Sequence, residues 1–368
     1  MSDPRVDRLA ELIVGYSLEL REGDVVRIDG LDVAAPLALS LYRAALAAGA
    51  HPYTNLTLDG LIELLVEQGS DAQLDYISPV QWREVDTLDA LVTIWADRNT
   101  RSLSRADPER HRREIQTERK LANRRWERMT AGEMRWCGTH FPTQGHAQEA
   151  EMPLDEYEEF VFAACHADRD DPASHWRAQA EALGARAEEL SAVRELRVVG
   201  PDTDLRLAVD GRRWIAAAGR NPANMPDGEI FTSPVETETE GEIRFSFPAI
   251  FRGREVQDVR LRFEGGRVVA GEAVEGQDYL TALLDMDDGA RVAGEFAFGL
   301  NYEIDRFTRN ILLDEKIGGT VHLALGRSYP ETGGTNESAI HWDLICDLRA
   351  GGRLTADGAP IVESGRLV

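Results

Sequence analysis

A histidine and an aspartate stand two residues apart near the end of the chain, in the segment Ala339–Leu348. Residues at that spacing on a β-strand point to the same side. His341 and Asp343 therefore share one face, and Trp342 belongs to an apolar face on the opposite side. A strand of this kind has a core-facing side and, behind it, a pair of side chains able to bind a metal ion.

Two earlier segments repeat this design. In Thr320–Leu325, His322 stands opposite three aliphatic residues, and in Gly294–Leu300, Glu295 stands opposite apolar residues. The neighbours on the polar faces of both segments are alanine or glycine, which leave room beside the possible ligand. The three segments together predict a face that carries histidine, aspartate and glutamate among small side chains.

Imidazole together with carboxylate suits Zn, Co or Mn, whereas carboxylates alone would suit Mg or Ca. One metal ion needs three protein ligands, and the surplus of acids indicates two ions. The alternative is that each polar residue is the solvent-facing half of an ordinary strand, which is common in an acidic protein. His322 and His341 weigh against that alternative, because they are the only histidines after residue 175.

Other catalytic patterns are missing from the sequence. It contains no H-E-x-x-H, no G-x-S-x-G elbow, no G-x-G-x-x-G loop and no C-x-x-C pair. We interpret the histidines of the first half as surface or capping residues: His111, His140, His146, His166 and His175. The alternating glutamates at 236–242 are interpreted as the solvated edge of a sheet.

The elements that must position these residues follow from periodicity. The first half alternates apolar strands with helices, which predicts a parallel sheet with right-handed crossovers. Near residue 192 the period becomes two, with glycine turns and one helix at about Gln277–Met286. We therefore expect an α/β N-terminal domain at 1–192 and a β-rich α+β domain at 193–368 that carries the metal site.

Composition limits the partners. The 368 residues include 41 basic and 65 acidic side chains, a net charge of −24, which argues against nucleic acid and anionic lipid. No apolar stretch has the length of a membrane span, and the N-terminus has no signal core, so we expect a cytoplasmic protein. The three scattered cysteines are expected to be buried thiols. Only Lys120 and Lys316 are lysines, which indicates either adaptation to high salt or a GC-rich genome.

Several motifs resemble the dinuclear metalloaminopeptidases of the aminopeptidase T and aminopeptidase S type, which lack H-E-x-x-H. They cover about 120 residues of the second half, in family order: Asn224–Pro234, Gly294–Asn301, Asn310–Gly326, Ser328–Tyr329 and Ser338–Asp343. The first half is similar mainly through Leu41–Pro52 and its alternation of helices and strands.

The resemblance implies a ligand set and roles. The implied metal ligands are Glu229, Glu295, His322, Tyr329, His341 and Asp343, with Glu315 as a further carboxylate beside the metals. The segment that contains Glu315 is longer than in the thermophilic bacterial members, so whether Glu315 binds metal directly stays open. The loop from Pro330 to Asn336 is shorter than in those members, and substrate preference stays open with it.

The implied reaction is release of the N-terminal residue from a peptide, by a water that two divalent ions activate. The bridging role is expected of Glu295, the general base is Glu229 or Glu315, and Tyr329 binds a metal or donates to the developing oxyanion. A homo-oligomer, most simply a dimer, is also implied. Two other functions stay open: another metal-dependent amidohydrolase on small molecules, and a non-catalytic binding protein on the same fold.

Overall fold

The structure, a computed structural model, describes residues 3–251 and 253–368. Several α-helices begin at a side-chain N-cap, such as Asp3, whose carboxylate accepts the backbone N–H of Arg5. The first helix continues as a π-helix over Ile13–Ser17. The α-helices are α1 Pro4–Leu12, α2 Ala35–Ala47, α3 Leu61–Gln68, α4 Asp71–Leu74, α5 Pro79–Thr87, α6 Pro108–Thr130, α7 Gln144–Glu149, α8 Leu154–Ala164, α9 Pro172–Leu190, α10 Gln277–Leu284 and α11 Ile311–Asp314.

Short 3₁₀ turns occupy Asp32–Ala34 and Pro330–Thr332. The strands are β1 Val25–Leu31, β2 His51–Thr57, β3 Ala90–Trp95, β4 Arg135–His140, β5 Glu195–Gly200, β6 Thr203–Ala208, β7 Ile215–Ala217, β8 Ala223–Met225, β9 Glu229–Thr232, β10 Thr239–Phe245, β11 Ala249–Phe251, β12 Arg254–Val256, β13 Val259–Glu264, β14 Arg267–Glu272, β15 Ala293–Gly299, β16 Thr320–Gly326, β17 His341–Asp347, β18 Arg353–Ala356, β19 Ala359–Glu363 and β20 Arg366–Leu367.

The chain divides into two compact units. The first comprises residues up to Trp176 together with Gly219–Pro226, and the second comprises Arg177–Ala218 with Asp227–Val368. This division falls inside α9, whereas the change of period near residue 192 marks where α9 gives way to strands. The domain limits 1–192 and 193–368 stay a prediction.

The first unit contains a parallel sheet with the strand order β2-β1-β3-β4-β8. Its central strand β3 is apolar and buried along most of its length, as parallel strands covered on both faces are. Helices of eight or more residues connect β1 to β2 and β3 to β4, so the predicted α/β arrangement is confirmed.

The second unit is built from antiparallel sheets. The larger has the order β14-β13-β10-β6-β5-β18-β19-β20, and the smaller has the order β17-β16-β15-β9-β7. A hairpin at 264–267 joins β13 to β14, with Gly265 and Gly266 both at positive φ, as a two-residue type I′ turn requires. The β-rich second domain that the sequence predicts is confirmed in kind.

The interpretation of the acidic run at 236–242 as the edge of a sheet is wrong. The run leads into β10, which pairs with β13 on one side and β6 on the other, so it lies inside the larger sheet and not at its edge. Its alternate side chains are exposed because only one face of the sheet is covered there, as at Glu240 and Glu242.

The cysteines are buried free thiols, as expected: Cys137, Cys165 and Cys346. Within residues 3–251 and 253–368, no helix is both long and apolar enough to cross a membrane.

Candidate metal centre

The smaller sheet of the second unit brings the predicted ligands together on one face. Its register pairs Glu295 with Ala324 and Ala324 with Asp343, so the two carboxylates flank an alanine. Because paired residues point to the same side of a sheet, the glutamate and the aspartate project together.

The same register places three further polar side chains on that face. Ala297 of β15 pairs with His322, and Gly299 of the same strand pairs with Glu229 at the start of β9. Gly326 pairs with His341 at the start of β17. Small residues thus stand beside the ligands on β15 and β16, and the space they leave holds the longer side chains.

The polar face is itself buried, which rules out the solvent-facing alternative for its central members. His322 is 1% exposed and Glu295 is 4% exposed, and every residue of β15 and β16 is buried. The opposite face packs the apolar core, which includes Phe296 and Trp342. Burying carboxylates and imidazoles is costly unless their charges are compensated, so their clustering here indicates a functional site.

Three residues form the first potential metal-binding group: Glu295, His341 and Asp343, whose ligand atoms lie within 4.8 Å of one another. His341 Nε2 lies 3.1 Å from Glu295 Oε2 and 3.6 Å from Asp343 Oδ1. Nδ1 of the same ring lies 2.7 Å from the carbonyl oxygen of Arg327. A carbonyl only accepts, so Nδ1 donates to it, and this contact directs Nε2 at the carboxylates.

A second group overlaps the first. It consists of Glu315, His322 and Asp343, again with ligand atoms within 4.8 Å of one another. His322 Nε2 lies 3.8 Å from Glu295 Oε1, so Glu295 approaches the histidines of both groups. Asp343 belongs to both groups.

Glu315 reaches the centre from a loop that α11 anchors. The buried carboxylate of Asp314 accepts hydrogen bonds from the backbone N–H and the hydroxyl of Thr308, which fastens the end of this short helix. Asn301 then binds the following residues through its backbone, accepting from Gly318 and donating to the carbonyl of Lys316. These contacts bring Glu315 within reach of His322 and Asp343, an arrangement that strand periodicity does not reveal.

A buried lysine, absent from the predicted site, lies beside the second group. Lys316 is 1% exposed, and its Nζ lies 2.8 Å from Glu229 Oε1 and 3.9 Å from Asp227 Oδ1. The ammonium also contacts Glu315. Glu229 lies 3.5 Å from His322 through its other oxygen and belongs to neither three-residue group. The signal available in the sequence was that Lys316 is one of only two lysines.

The charges in the centre shift one another's pKa values. Burial acts to raise the pKa of Glu295, but hydrogen bonds and charge from His322 and His341 outweigh it and lower this pKa to about 2. Burial acts to lower the pKa of His322, but Glu295 and Glu229 raise it to about 9. For His341, Asp343 and Glu295 overcome burial and raise the pKa to about 10. A metal ion must displace these protons, because only neutral imidazole coordinates.

The remaining groups shift mainly through burial. Burial raises the pKa of Glu315 to about 7 and also raises the pKa of Glu229. For Lys316, burial acts to lower the pKa, but Glu229 and Glu315 overcome it and hold the pKa well above its ordinary value. The lysine is therefore a fixed positive charge at neutral pH.

Unpartnered atoms test whether metal ions suit this set. Among the residues that the structure describes, no hydrogen-bond partner reaches Glu229 Oε2, Asp343 Oδ1 or His322 Nδ1, all of them buried. A buried acceptor without a partner is costly, and a divalent cation would satisfy the two carboxylate oxygens. The donor set of imidazole and carboxylate matches Zn, Co or Mn. The residues present fit a metal centre.

Tyr329 lies at the border of the centre. Its ring meets the ring of His341 edge to face at 5.1 Å and packs against Phe231 at 5.2 Å. Burial, followed by the nearby carboxylates, raises the pKa of its hydroxyl well above the ordinary value, so the phenol stays protonated. The structure brings Tyr329 against His341, a member of the first group.

The interpretation of the first-half histidines as surface or capping residues is wrong for His140, whereas His166 follows the C-cap of α8 at positive φ, which is a capping position. His140 is fully buried, and its Nε2 lies 2.9 Å from the hydroxyl of Tyr157. His166 is also buried, with its ring 3.5 Å from that of His175. Neither histidine belongs to a potential metal-binding group within the described part of the chain.

The comparisons with known proteins cover nearly the whole chain. The sequence profile of the thermophilic metalloprotease (M29) family matches residues 2–367. The chain belongs to this family. Aminopeptidase 2 of Geobacillus stearothermophilus is 28% identical over 99% of this chain and 97% of its own, and aminopeptidase T of Thermus aquaticus is 28% identical over 99% and 98%.

The fold agrees with a solved member. The structure of wild-type AmpT from Thermus thermophilus superposes with a TM-score of 0.88 at 26% identity, covering 99% of both chains. Family membership and these relatives make the M29 chain a metal-dependent aminopeptidase, a hydrolase. Nothing in the comparisons favours the two alternatives, a different amidohydrolase or a non-catalytic binding protein.

Proposed function

We propose that this M29 aminopeptidase releases N-terminal residues from peptides with two divalent ions, Zn, Co or Mn. Glu295, His341 and Asp343 would hold one ion, and Glu315, His322 and Asp343 would hold the other. The observation that supports this proposal is the overlap of two ligand groups on one buried sheet face. When bound, two such ions supply Lewis acidity and a hydroxide at neutral pH.

The roles of the chain's own residues follow from their positions. Glu229 or Glu315 is proposed as the general base. The carboxylate in this role takes the proton of the attacking water and returns it to the leaving amine. Burial raises the pKa of both above the ordinary value, toward the range in which a general base works at neutral pH. Tyr329, whose phenol stays protonated, is proposed to donate to the developing oxyanion or to bind a metal through its oxygen.

The substrate's free α-amine is positively charged or seeks a metal, and the acidic lining of the centre favours it. Four carboxylates lie close together in the centre, where they contact Lys316, His322 or His341: Glu229, Glu295, Glu315 and Asp343. A peptide with a blocked N-terminus loses the charge that such a lining attracts. This preference would restrict the enzyme to chain ends.

Removal of metal tests the proposal. Dialysis against a chelator is expected to abolish hydrolysis of aminoacyl p-nitroanilides, and Zn, Co or Mn should restore it to different extents, because the ligands mix imidazole and carboxylate. The measurement is turnover alongside metal content per chain, with the N-acetylated substrate as control. Full activity with metal content confirmed as nil would contradict the metal centre, and equal turnover of the acetylated substrate would favour a different amidohydrolase.

Adaptation to salt is a separate proposal, supported by the net charge of −24 and the presence of only two lysines. Melting temperature is expected to rise steeply from low to molar KCl, because salt shortens the screening length to about 3 Å at 1 M and relieves repulsion among the acids. Thermal melts across a KCl series measure it, with equimolar sucrose as the control for general solute effects. A melting temperature indifferent to KCl would leave a GC-rich genome as the explanation for the scarcity of lysine.

A homodimer and a cytoplasmic location complete the proposal. The resemblance to the aminopeptidase T and S type supports an oligomer. Three buried free thiols suit a reducing compartment.

A further inference from the structure

The two potential metal-binding groups do not have the same surroundings. The group of Glu295, His341 and Asp343 meets the carbonyl of Arg327 through His341. The group of Glu315, His322 and Asp343 meets the ammonium of Lys316 through Glu315. One group is therefore supported by a neutral acceptor, and the other shares a ligand with a buried cation.

Lys316 also contacts Glu229 and Asp227, two carboxylates that belong to neither group. Its Nζ lies 2.8 Å from Glu229 Oε1, and Glu229 Oε2 lies 3.5 Å from His322 Nε2. Glu229 thus faces the lysine with one oxygen and the second metal-binding group with the other. Lys316 links Glu229 to Glu315, and both flank the position of His322.

The charges of the cluster balance only with this lysine. Among the described residues the cluster contains five carboxylates, Asp227, Glu229, Glu295, Glu315 and Asp343. Two divalent ions with neutral imidazoles would supply four positive charges, and Lys316 supplies the fifth. A buried site tolerates little net charge. Without Lys316, a proton or another cation would have to balance the charge of the fifth carboxylate.

We propose that Lys316 is a positioning residue that orients Glu315 within the second group, holds Glu229 beside that group, and weakens the binding of the ion there. The ammonium competes with that ion for Glu315 and repels it at close range. The first group has no such cation in contact with its ligands within the described part of the chain. This inference rests on the proposed two-metal centre and predicts a tight site at His341 and a weaker, exchangeable site at His322.

The test is a titration of the metal-free protein with Mn²⁺ alone, following free Mn²⁺ by electron paramagnetic resonance. The wild type should bind two ions, the second at least about ten-fold more weakly than the first. In Lys316→Gln the weak site should tighten by at least about ten-fold, since the cation has been removed while a polar side chain that can still donate a hydrogen bond remains, one bond shorter. Metal-free Lys316→Gln should melt lower than the wild type, and Mn²⁺ should recover more of its melting temperature.

The matched control is Lys120→Gln, which removes the other lysine, an exposed one, and should leave both affinities unchanged. If Lys316 only supported the fold, Lys316→Gln would bind the second ion equally or more weakly, which overturns the inference. Should Lys316→Gln fail to fold, His322→Ala and His341→Ala still decide. The first should abolish the weak class of site and the second the tight class, and the reverse assignment contradicts the proposal. A wild type that binds no Mn²⁺, Zn²⁺ or Co²⁺ overturns the metal centre itself.

Discussion

Asp343→Asn is expected to remove both metal ions and to lower aminopeptidase activity by more than about a hundred-fold. Asp343 is the carboxylate common to the two potential metal-binding groups, and asparagine keeps its shape while losing the charge. His341→Ala should lose the ion of the first group and most of the activity. Metal content per folded chain, measured with turnover, checks both variants.

The fold should survive these changes, because His341 and Asp343 lie on the face opposite the core side chains of β17. The matched control is the residue between them. Trp342 is 1% exposed and packs near Phe251, so Trp342→Ala should lower the free energy of unfolding by about 3–5 kcal/mol through the cavity it leaves. Metal should be lost from that variant only as it unfolds. If Asp343→Asn keeps two ions and wild-type turnover, the site lies elsewhere.

Strand periodicity predicted the ligand face because a period of two leaves little choice. Once His322 and His341 lie on strands with apolar backs, their side chains must share the other face with Glu295, whatever the order of the strands. The register in the structure adds the distances, and it shows alanine and glycine standing between the ligands. This part of the site could be predicted from the sequence.

What periodicity misses lies outside strands. Lys316 and Glu315 follow a four-residue helix in a loop held by Thr308 and Asn301, and no repeat specifies where such a loop ends. Asp227 lies just before β9 and meets Lys316 only through tertiary contact. Burial was the other unknown, because an alternating strand does not tell whether its polar face meets solvent or further protein.

The fold shows a similar division between local and long-range information. The starts of helices α4 and α5 are encoded locally, because Ser70 with Gln73, and Ser78 with Gln81, form capping boxes that the sequence contains. These helix starts could therefore be predicted from the sequence. The interior position of β10 in the larger sheet could not, because it depends on pairing with β6 and β13, which are distant in sequence.

Glu295→Gln is expected to have an effect as large as that of Asp343→Asn, through a different route. Glu295 is buried between the two histidines, with its oxygens 3.1 Å from His341 Nε2 and 3.8 Å from His322 Nε2. The resemblance to the dinuclear aminopeptidases implies that it bridges the two ions. A bridging carboxylate that becomes an amide should release both ions and remove more than about a hundred-fold of the activity.

The same substitution gives a readout that needs no metal. In the metal-free protein Glu295 helps to raise the pKa of His322 to about 9 and that of His341 to about 10, so Glu295→Gln should move both toward the ordinary value. Imidazole NMR titrations measure this shift, and metal analysis of the reloaded protein counts the ions. Glu242→Gln, at an exposed carboxylate of β10, is the control and should change neither. If Glu295→Gln loses only the ion of His341 and keeps that of Glu315, His322 and Asp343, the bridge is Asp343, because it is the carboxylate that the two groups share.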